Sequence, residues 1–430
     1  MTAVLGVGAG ETRAPSARPE PRRWDGVDQW IVSALVVLLV LTQRIGVPFG
    51  DTSIGIALPL SYVAVLLLLA RRSLRVSRLR GELLLLSTTL VLASTALVGI
   101  TGGSPSLSSL MLLLAIYLPW VLRTASPDAR AVAHRAGLVF IRVMLVVAAL
   151  GVFQFVGQLL GVWTYEDLLG TWLPPDLLVP NYNFTIPLAY GSELFKSNGF
   201  LMLEPSAFSQ FCALAALIAL MLRRPAWQVL VLVGGIASAV SGTGIILLAV
   251  GVALMVVRAR HRLRPAYVVA FGTVLALVAL SPAASVLLNR SEEVSQPESS
   301  GYARFVAPYT QVLQGLAEDP TRYVTGGGPG TAERLLTSRR DGVGADVLYS
   351  IVPKLAFEYG LIAGGVFAIF LIVSMLDGAP WRVVPGALVV MTFFLSGALL
   401  QPQTAFVAWI FTGLASVEGR PGRRSPRPPG

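Results

Sequence analysis

Apolar residues fill most of this chain in long blocks, and short arginine-bearing turns separate them. Many of the blocks reach the roughly 17–25 residues that a helix needs to cross a bilayer. They predict twelve spans, at about 29–48, 53–70, 82–100, 106–122, 136–161, 204–222, 225–241, 243–258, 266–287, 348–376, 381–398 and 402–417. The expected fold class is an all-α polytopic integral membrane protein of about 12 transmembrane helices. The blocks spread along the whole chain, so one integral domain is expected over 28–418. The seventh and eighth blocks are split only by Ser241-Gly242-Thr243, which predicts a turn within membrane depth.

The polar remainder is uneven. Residues 1–27 are rich in Pro, Gly and Arg without apolar period and read as a disordered basic tail; residues 419–430 read as a second. No small-residue cleavage site clearly follows the first block, so an uncleaved first helix is expected. Two long polar intervals remain, 162–203 and 289–347. The second carries Arg290, Arg304, Arg322, Arg334, Arg339 and Arg340, carboxylates from Glu292 to Asp346, and the cluster Gly326-Gly327-Gly328-Pro329-Gly330. A loop of that length is usually functional or disordered.

Arginine placement orients the spans. The two tails and the alternate turns hold 23 of the 33 Lys and Arg residues, whereas acids dilute the positive charge of the two long intervals. The positive-inside rule puts both termini in the cytoplasm and both long loops outside.

Composition narrows the classes. The chain is 54% hydrophobic and 13% charged, against about 25% charged in soluble domains. The net charge of +10 sits in the turns that topology explains, so no nucleic acid is expected as partner. Cys212 is the only cysteine, and His134 and His261 the only histidines. No intrachain disulfide, metal site or cofactor is expected. Gly326–Gly330 leads into Thr331-Ala332-Glu333 rather than the Lys-Ser/Thr of a nucleotide-binding loop.

Three constellations carry candidate chemistry. The first, Lys196-Ser197-Asn198-Gly199-Phe200 through Glu204-Pro205-Ser206, closes the first long loop and opens the sixth span. Pro205 suits the first turn of a helix, and Glu204 would then stand at its N-terminus. There it serves either as a cap or as a carboxylate able to act as base or to accept from a sugar hydroxyl. The second lies in the long loop. Arg304 precedes an amphipathic stretch that predicts a helix through Ala317. It offers a fork for phosphate, unless it is a solvated surface arginine. Arg322 and the glycine cluster could bring cation and backbone N–H groups to an anion, unless they form an ordinary turn. The third opens the tenth span, Tyr349 to Gly360. Lys354 and Glu358 share one helix face inside an apolar run. They form a structural ion pair or face a wet cavity that a kink at Pro353 opens. Arg142 reads as snorkelling to the inner interface, and Gln401-Pro402-Gln403 as a rim at the outer end.

The order of these motifs resembles the bacterial O-antigen polymerase and O-antigen ligase superfamily of polysaccharide-assembly membrane proteins. Ser197-Asn198-Gly199-Phe200…Glu204-Pro205-Ser206 is similar to the "Gly…Glu-Pro-Ser" opening of a middle helix in the polymerases. Arg304, Pro320 and Gly326-x-Gly328-x-Gly330 resemble the outer-loop "Arg…Pro…Gly-x-Gly-x-Gly" signature, and Glu358-Tyr359-Gly360-Leu361-Ile362 the "Glu-x-Gly-hydrophobic" after it. Two features depart from the ligases. Tyr349 stands where they carry a histidine, and Ser241-Gly242-Thr243-Gly244 lacks their arginine.

The resemblance implies an extracytoplasmic, metal-independent glycosyltransferase. It would pass glycan from polyprenyl diphosphate to the next lipid-linked repeat unit, as in O-antigen or exopolysaccharide assembly. Glu204 or Glu358 is the expected catalytic base. The expected substrate contacts are Arg304, Arg322, Lys354, Lys196, Asn198, Tyr349, Gly326, Gly328 and Gly330. The implied partners are the polyprenyl-diphosphate-linked oligosaccharide, the lipid bilayer, a flippase and a chain-length regulator. The alternatives are a ligase or protein O-glycosyltransferase of the same superfamily, and a lipid-linked glycan transporter or flippase.

Overall fold

The computed structural model describes residues 24–49, 52–179, 184–188, 192–259, 264–280, 300–332, 334 and 349–416. Most of both tails lies outside these residues, as do Arg290, Arg339, Arg340 and Asp346 of the long loop.

Each of the twelve apolar blocks carries a helix. In chain order these are α1 (Gly26–Leu41), α2 (Ala57–Ala70), α3 (Arg78–Ile100), α4 (Leu107–Tyr117) and α5 (Ala129–Leu159). A short α6 (Leu168–Trp172) lies in the first long loop, before α7 (Pro205–Met221), α8 (Ala226–Ser238), α9 (Gly242–Ala259) and α10 (Pro265–Ala279). The second long loop holds α11 (Ser300–Phe305), α12 (Ala307–Glu318) and α13 (Arg322–Thr325). Then come α14 (Ile351–Leu376), α15 (Val383–Val390) and α16 (Pro402–Trp409). The last two continue as π turns, Met391–Leu395 and Ile410–Leu414. Among the described residues, three helices, α3, α5 and α14, are long and apolar enough by themselves to cross a bilayer. Large apolar side chains such as Leu66, Leu85, Val146 and Leu275 point outward, as in a membrane protein facing acyl chains.

Local chemistry explains the ends. Asp25 caps α1: its carboxylate accepts from the Val27 and Asp28 amides, and Asp28 returns a bond to the Asp25 amide. Pro205 and Pro402 begin α7 and α16, where a missing N–H is harmless. Two strand pairs depart from the all-helical expectation. Gly46–Phe49 pairs antiparallel with Thr52–Gly55, and Leu74–Val76 with Leu122–Thr124. Each is three or four residues of turn between helices, too short to show as a period in the sequence.

Helix α7 is the centre. Phe208 to Leu220 is buried on every side, with α5, α8 and α9 around it. Its alanines, and Gly235 of α8 beside Cys212 and Ala148, let helices approach closely, and such packing holds bundles together in lipid.

The arginine-rich turns gather at one end. The Ser77 and Ala125 amides donate to Val121 and Ser73 across the second strand pair, and Trp24 Nε1 donates to Ser73. Arg80, fully buried, donates to the Gly413 and Asp377 carbonyls at 2.9 and 2.7 Å and to Ser416 Oγ at 2.7 Å. It thereby closes the C-terminal ends of two elements whose carbonyls have no helical partner. Arg142 lies on the exposed face of α5. The long loops are contacted from the other ends of these helices: Arg44, beyond α1, meets Asp167, and Ser106, before α4, meets Pro329.

Candidate functional site

Helix α14 is broken. The sequence from Ile351 to Leu376 reads as one apolar helix, but Gly360 takes φ 75° and ψ 176°. At about 1.5 Å per residue, the break lies about 14 Å along the helix from Ile351. A broken ladder frees carbonyls that must find donors at membrane depth. The glycine cluster supplies them. Gly327 N donates to Phe357 O at 2.8 Å and Gly328 N to Glu358 O at 2.9 Å. The approach is backbone to backbone. A Cβ on Gly326 would stand 2.5 Å from the Glu358 carbonyl, and one on Gly360 would stand 2.5 Å from Val324 O. Both residues also have positive φ, where a side chain is strained.

Two side chains lock this junction. Glu358, 1% exposed, accepts at Oε1 from Gly330 N at 3.0 Å and Ala332 N at 3.4 Å. Ser94 of α3, also buried, places its hydroxyl 2.5 Å from Thr325 O and 3.3 Å from Tyr359 O. Ser106 N donates to Pro329 O at 2.8 Å from the turn after α3. The N–H groups of the three predicted glycines are thus committed to protein: Gly326 to Arg322 O, Gly328 to Glu358 O and Gly330 to the Glu358 carboxylate. In the structure they dock the loop.

Arg304 lies on α11, which leads into α12. Ala307, Val312 and Leu316 of α12 pack with Ala332, Tyr349 and Phe357, joined by Tyr302 of α11. Tyr349 donates its hydroxyl to Gln311 Oε1 and sets its ring 5.8 Å from Phe357. The tyrosine at the ligase histidine position therefore braces α12. Arg304, on α11, is 9% exposed, and its Nε atom is buried without a partner. No described residue gives it a hydrogen bond or an ion pair. Burying a guanidinium without an anionic partner is expensive. Lys354, also buried, lies one turn before Glu358. Arg322 is half-exposed at the loop's edge, 3.4 Å from Asp319. The hydroxyl of Thr321, with Arg322 beside it, holds the Asp319 carboxyl below its usual range.

A second wall forms at the start of α7. Gln154 of α5 accepts at Oε1 from Ser197 Oγ, Asn198 N and Gly199 N, each at 3.1 Å. Gln158 Oε1 accepts from Phe195 N, and its amide donates to Phe195 O. Asn198 is buried; its Oδ1 accepts from Phe200 N, and its Nδ2 has no hydrogen-bond partner among the described residues. Lys196 is half-buried, and its N–H donates to Ile186 O. Glu204 stands at the N-cap of α7, half-buried, but its carboxylate makes no capping bond. Its side chain has no hydrogen bond or ion pair among the described residues.

Arg44 secures the first long loop to the bundle. The span expected to run through residue 48 ends at Leu41, and Arg44 lies in the turn beyond it, fully buried. Its two terminal nitrogens meet both carboxylate oxygens of Asp167, at 2.5 and 2.6 Å. Its guanidinium covers the Phe184 ring at 3.5 Å. Burial would raise the Asp167 carboxyl, but the hydrogen bonds and charge of Arg44 outweigh it and hold the group below its usual range. Tyr165 donates to Phe184 O, and burial beside Asp167 pushes its hydroxyl up to about 12.

The predicted residues fall into two groups in the structure. Arg304, Tyr349, Lys354, Glu358 and the glycines belong to one; Lys196, Asn198 and Glu204 belong to the other. The segment after α15 connects them: Gln210 Nε2 of α7 donates to Leu395 O at 3.0 Å, and Gly397 packs against Tyr349 O. Ser94, Gln154, Gln158 and Arg44 were not singled out from the sequence. The buried face of α3 runs Arg80, Leu84, Ser87, Val91, Ser94, Thr95, Val98. Polar residues at helical spacing inside an apolar block are the signal that could have found Ser94.

A family profile described as WcaD colanic acid polymerase matches residues 31–417. No curated protein and no solved structure matches the chain.

Proposed function

Since the chain belongs to the WcaD colanic acid polymerase family, a family of exopolysaccharide assembly, we propose that it elongates a polysaccharide outside the plasma membrane, by transfer from polyprenyl diphosphate to the next lipid-linked repeat unit. Both termini lie in the cytoplasm in this reading, and all twelve helical blocks cross. The observation that carries the donor assignment is Arg304, buried and without an anionic partner among the described residues.

In the proposed reaction an acceptor sugar hydroxyl attacks the anomeric carbon of the donor. The bond from that carbon to the diphosphate oxygen breaks, and polyprenyl diphosphate leaves with the electron pair. The leaving group is already good, so the protein's task is to stabilise its charge and align the acceptor. Arg304 takes the diphosphate through its fork, with Lys354 adding buried positive charge and Arg322 guiding the donor at the rim. Glu204 has a carboxylate uncommitted to a cap, and it receives the hydroxyl proton. Asn198 and Lys196 orient the acceptor sugar beside it. Tyr349 and the glycines shape the donor wall. A flippase delivering the repeat units and a regulator of chain length would act with it.

Deletion of the gene, followed by gel analysis of surface and lipid-linked glycans, tests this. Single repeat units accumulating on lipid, with no long polymer, are expected. Full-length polymer held on lipid would instead mean ligation, and units trapped on the cytoplasmic face would mean flipping. An unchanged glycan profile would overturn the reading.

A further inference from the structure

The carboxylate of Glu358 accepts from the main chain of the glycine loop. We propose that Glu358 is a positioning residue, whose carboxylate acts as a hydrogen-bond acceptor that fixes the glycine loop, and through it the seat of Arg304. The role in polymerisation rests on the reading above; the role in holding the loop does not.

Three observations carry this. First, Glu358 is 1% exposed, and its Oε1 already accepts from Gly330 N and Ala332 N. A general base must turn a lone pair to the acceptor hydroxyl, and this oxygen is turned to the main chain. Second, the same residue accepts Gly328 N at its carbonyl. Side chain and main chain thus hold the loop from both sides of the glycine cluster, at the point where the α14 ladder is interrupted. Third, Ala332 is itself buried and belongs to the apolar seat of α12, with Val312, Leu316, Tyr349 and Phe357. Helix α11, with Arg304, runs straight into α12. The contacts form one path: Glu358 to Ala332, Ala332 to α12, α12 to Arg304.

A glutamine at this position separates the two roles. It keeps an oxygen acceptor for the two amides and removes the base. The probe is the thiol introduced by Ala332→Cys, read by the rate of N-ethylmaleimide labelling in isolated membranes. Cys212, the only native cysteine, is fully buried and stays silent. With Glu358→Ala, labelling should rise at least about tenfold, the scale of losing hydrogen bonds to a charged acceptor. With Glu358→Gln it should stay within about threefold of the parent. In a deletion strain, without the thiol, Glu358→Gln should restore long polymer and Glu358→Ala should not, at equal protein levels by immunoblot.

Two results would overturn the proposal. Labelling in Glu358→Gln as fast as in Glu358→Ala would mean that the acceptor is not what holds the loop. Lost polymer in Glu358→Gln with the thiol still protected would make Glu358 a base. If Glu358→Ala does not accumulate, Glu358→Gln alone decides between protection with polymer and either failure. If the parent chain restores no polymer, the polymerase reading fails, and the labelling rates still decide whether Glu358 holds the loop.

Discussion

Gly330 donates its amide to Glu358 Oε1 at 3.0 Å across 28 residues of chain. This bond joins a polar loop to a helix that is broken two residues further on.

The break needs a residue without a Cβ. Gly360→Ala should destabilise the protein by about 1–3 kcal/mol from positive φ alone, and the close Val324 carbonyl adds to it. Gly365→Ala is the control: it lies in the same helix with open space around it, and should be neutral or slightly stabilising. Thermal unfolding of the detergent-solubilised protein measures both. Equal losses would show that the break is not where the strain lies.

Removing the buried cation should abolish chemistry without unfolding the chain. Arg304→Ala should lower polymer output by about a hundredfold or more, the scale of losing a group that stabilises a leaving charge. Arg304→Lys should recover only part, since a point charge replaces a fork. Chain length on glycan gels at equal protein level is the readout, and normal polymer in Arg304→Ala would remove it from the site.

The segment before α7 is held by one amide oxygen, Gln154 Oε1. Gln154→Leu strands the Ser197 hydroxyl and the Asn198 amide and leaves the Gly199 amide only its longer bond to Ser197 Oγ, at about 1–3 kcal/mol for each buried donor left unpaired. Faster protease cleavage in 195–204 is expected. Unchanged cleavage would mean that other contacts hold this segment.

The Arg44–Asp167 pair sets a pH dependence. Asp167 is held below its usual range in the folded protein, so the folded state binds the proton less tightly than the unfolded chain does. Its stabilisation is full above the unfolded value of about 3.9 and is lost as pH falls through the lower folded value. Stability should not change through this pair between about pH 8 and 5, and should fall below about pH 4. In Asp167→Asn this acid limb should be reduced, and stability at neutral pH should be lower. Thermal midpoints across that range measure it; an unchanged acid limb in the variant would exclude this pair as its source.

Much of the frame was written in the sequence. Each apolar block became a helix, because an apolar run long enough for a bilayer must satisfy its backbone internally. The arginine clusters marked the turns that gather at one end, and Pro205 marked where α7 begins. Arg304, Glu358 and the glycine cluster were legible as residues costly to place in an apolar chain. Their geometry was not. Residues 351–376 read locally as one helix, and only a loop some thirty residues upstream in sequence, inserting its amides, reveals the break at Gly360. Periodicity tells which face of a helix is buried, not what covers it. Hence Ser94, Gln154 and Arg44, each bonded to segments far along the chain, became visible only with the tertiary structure, where buried hydrogen-bonding groups had to find partners.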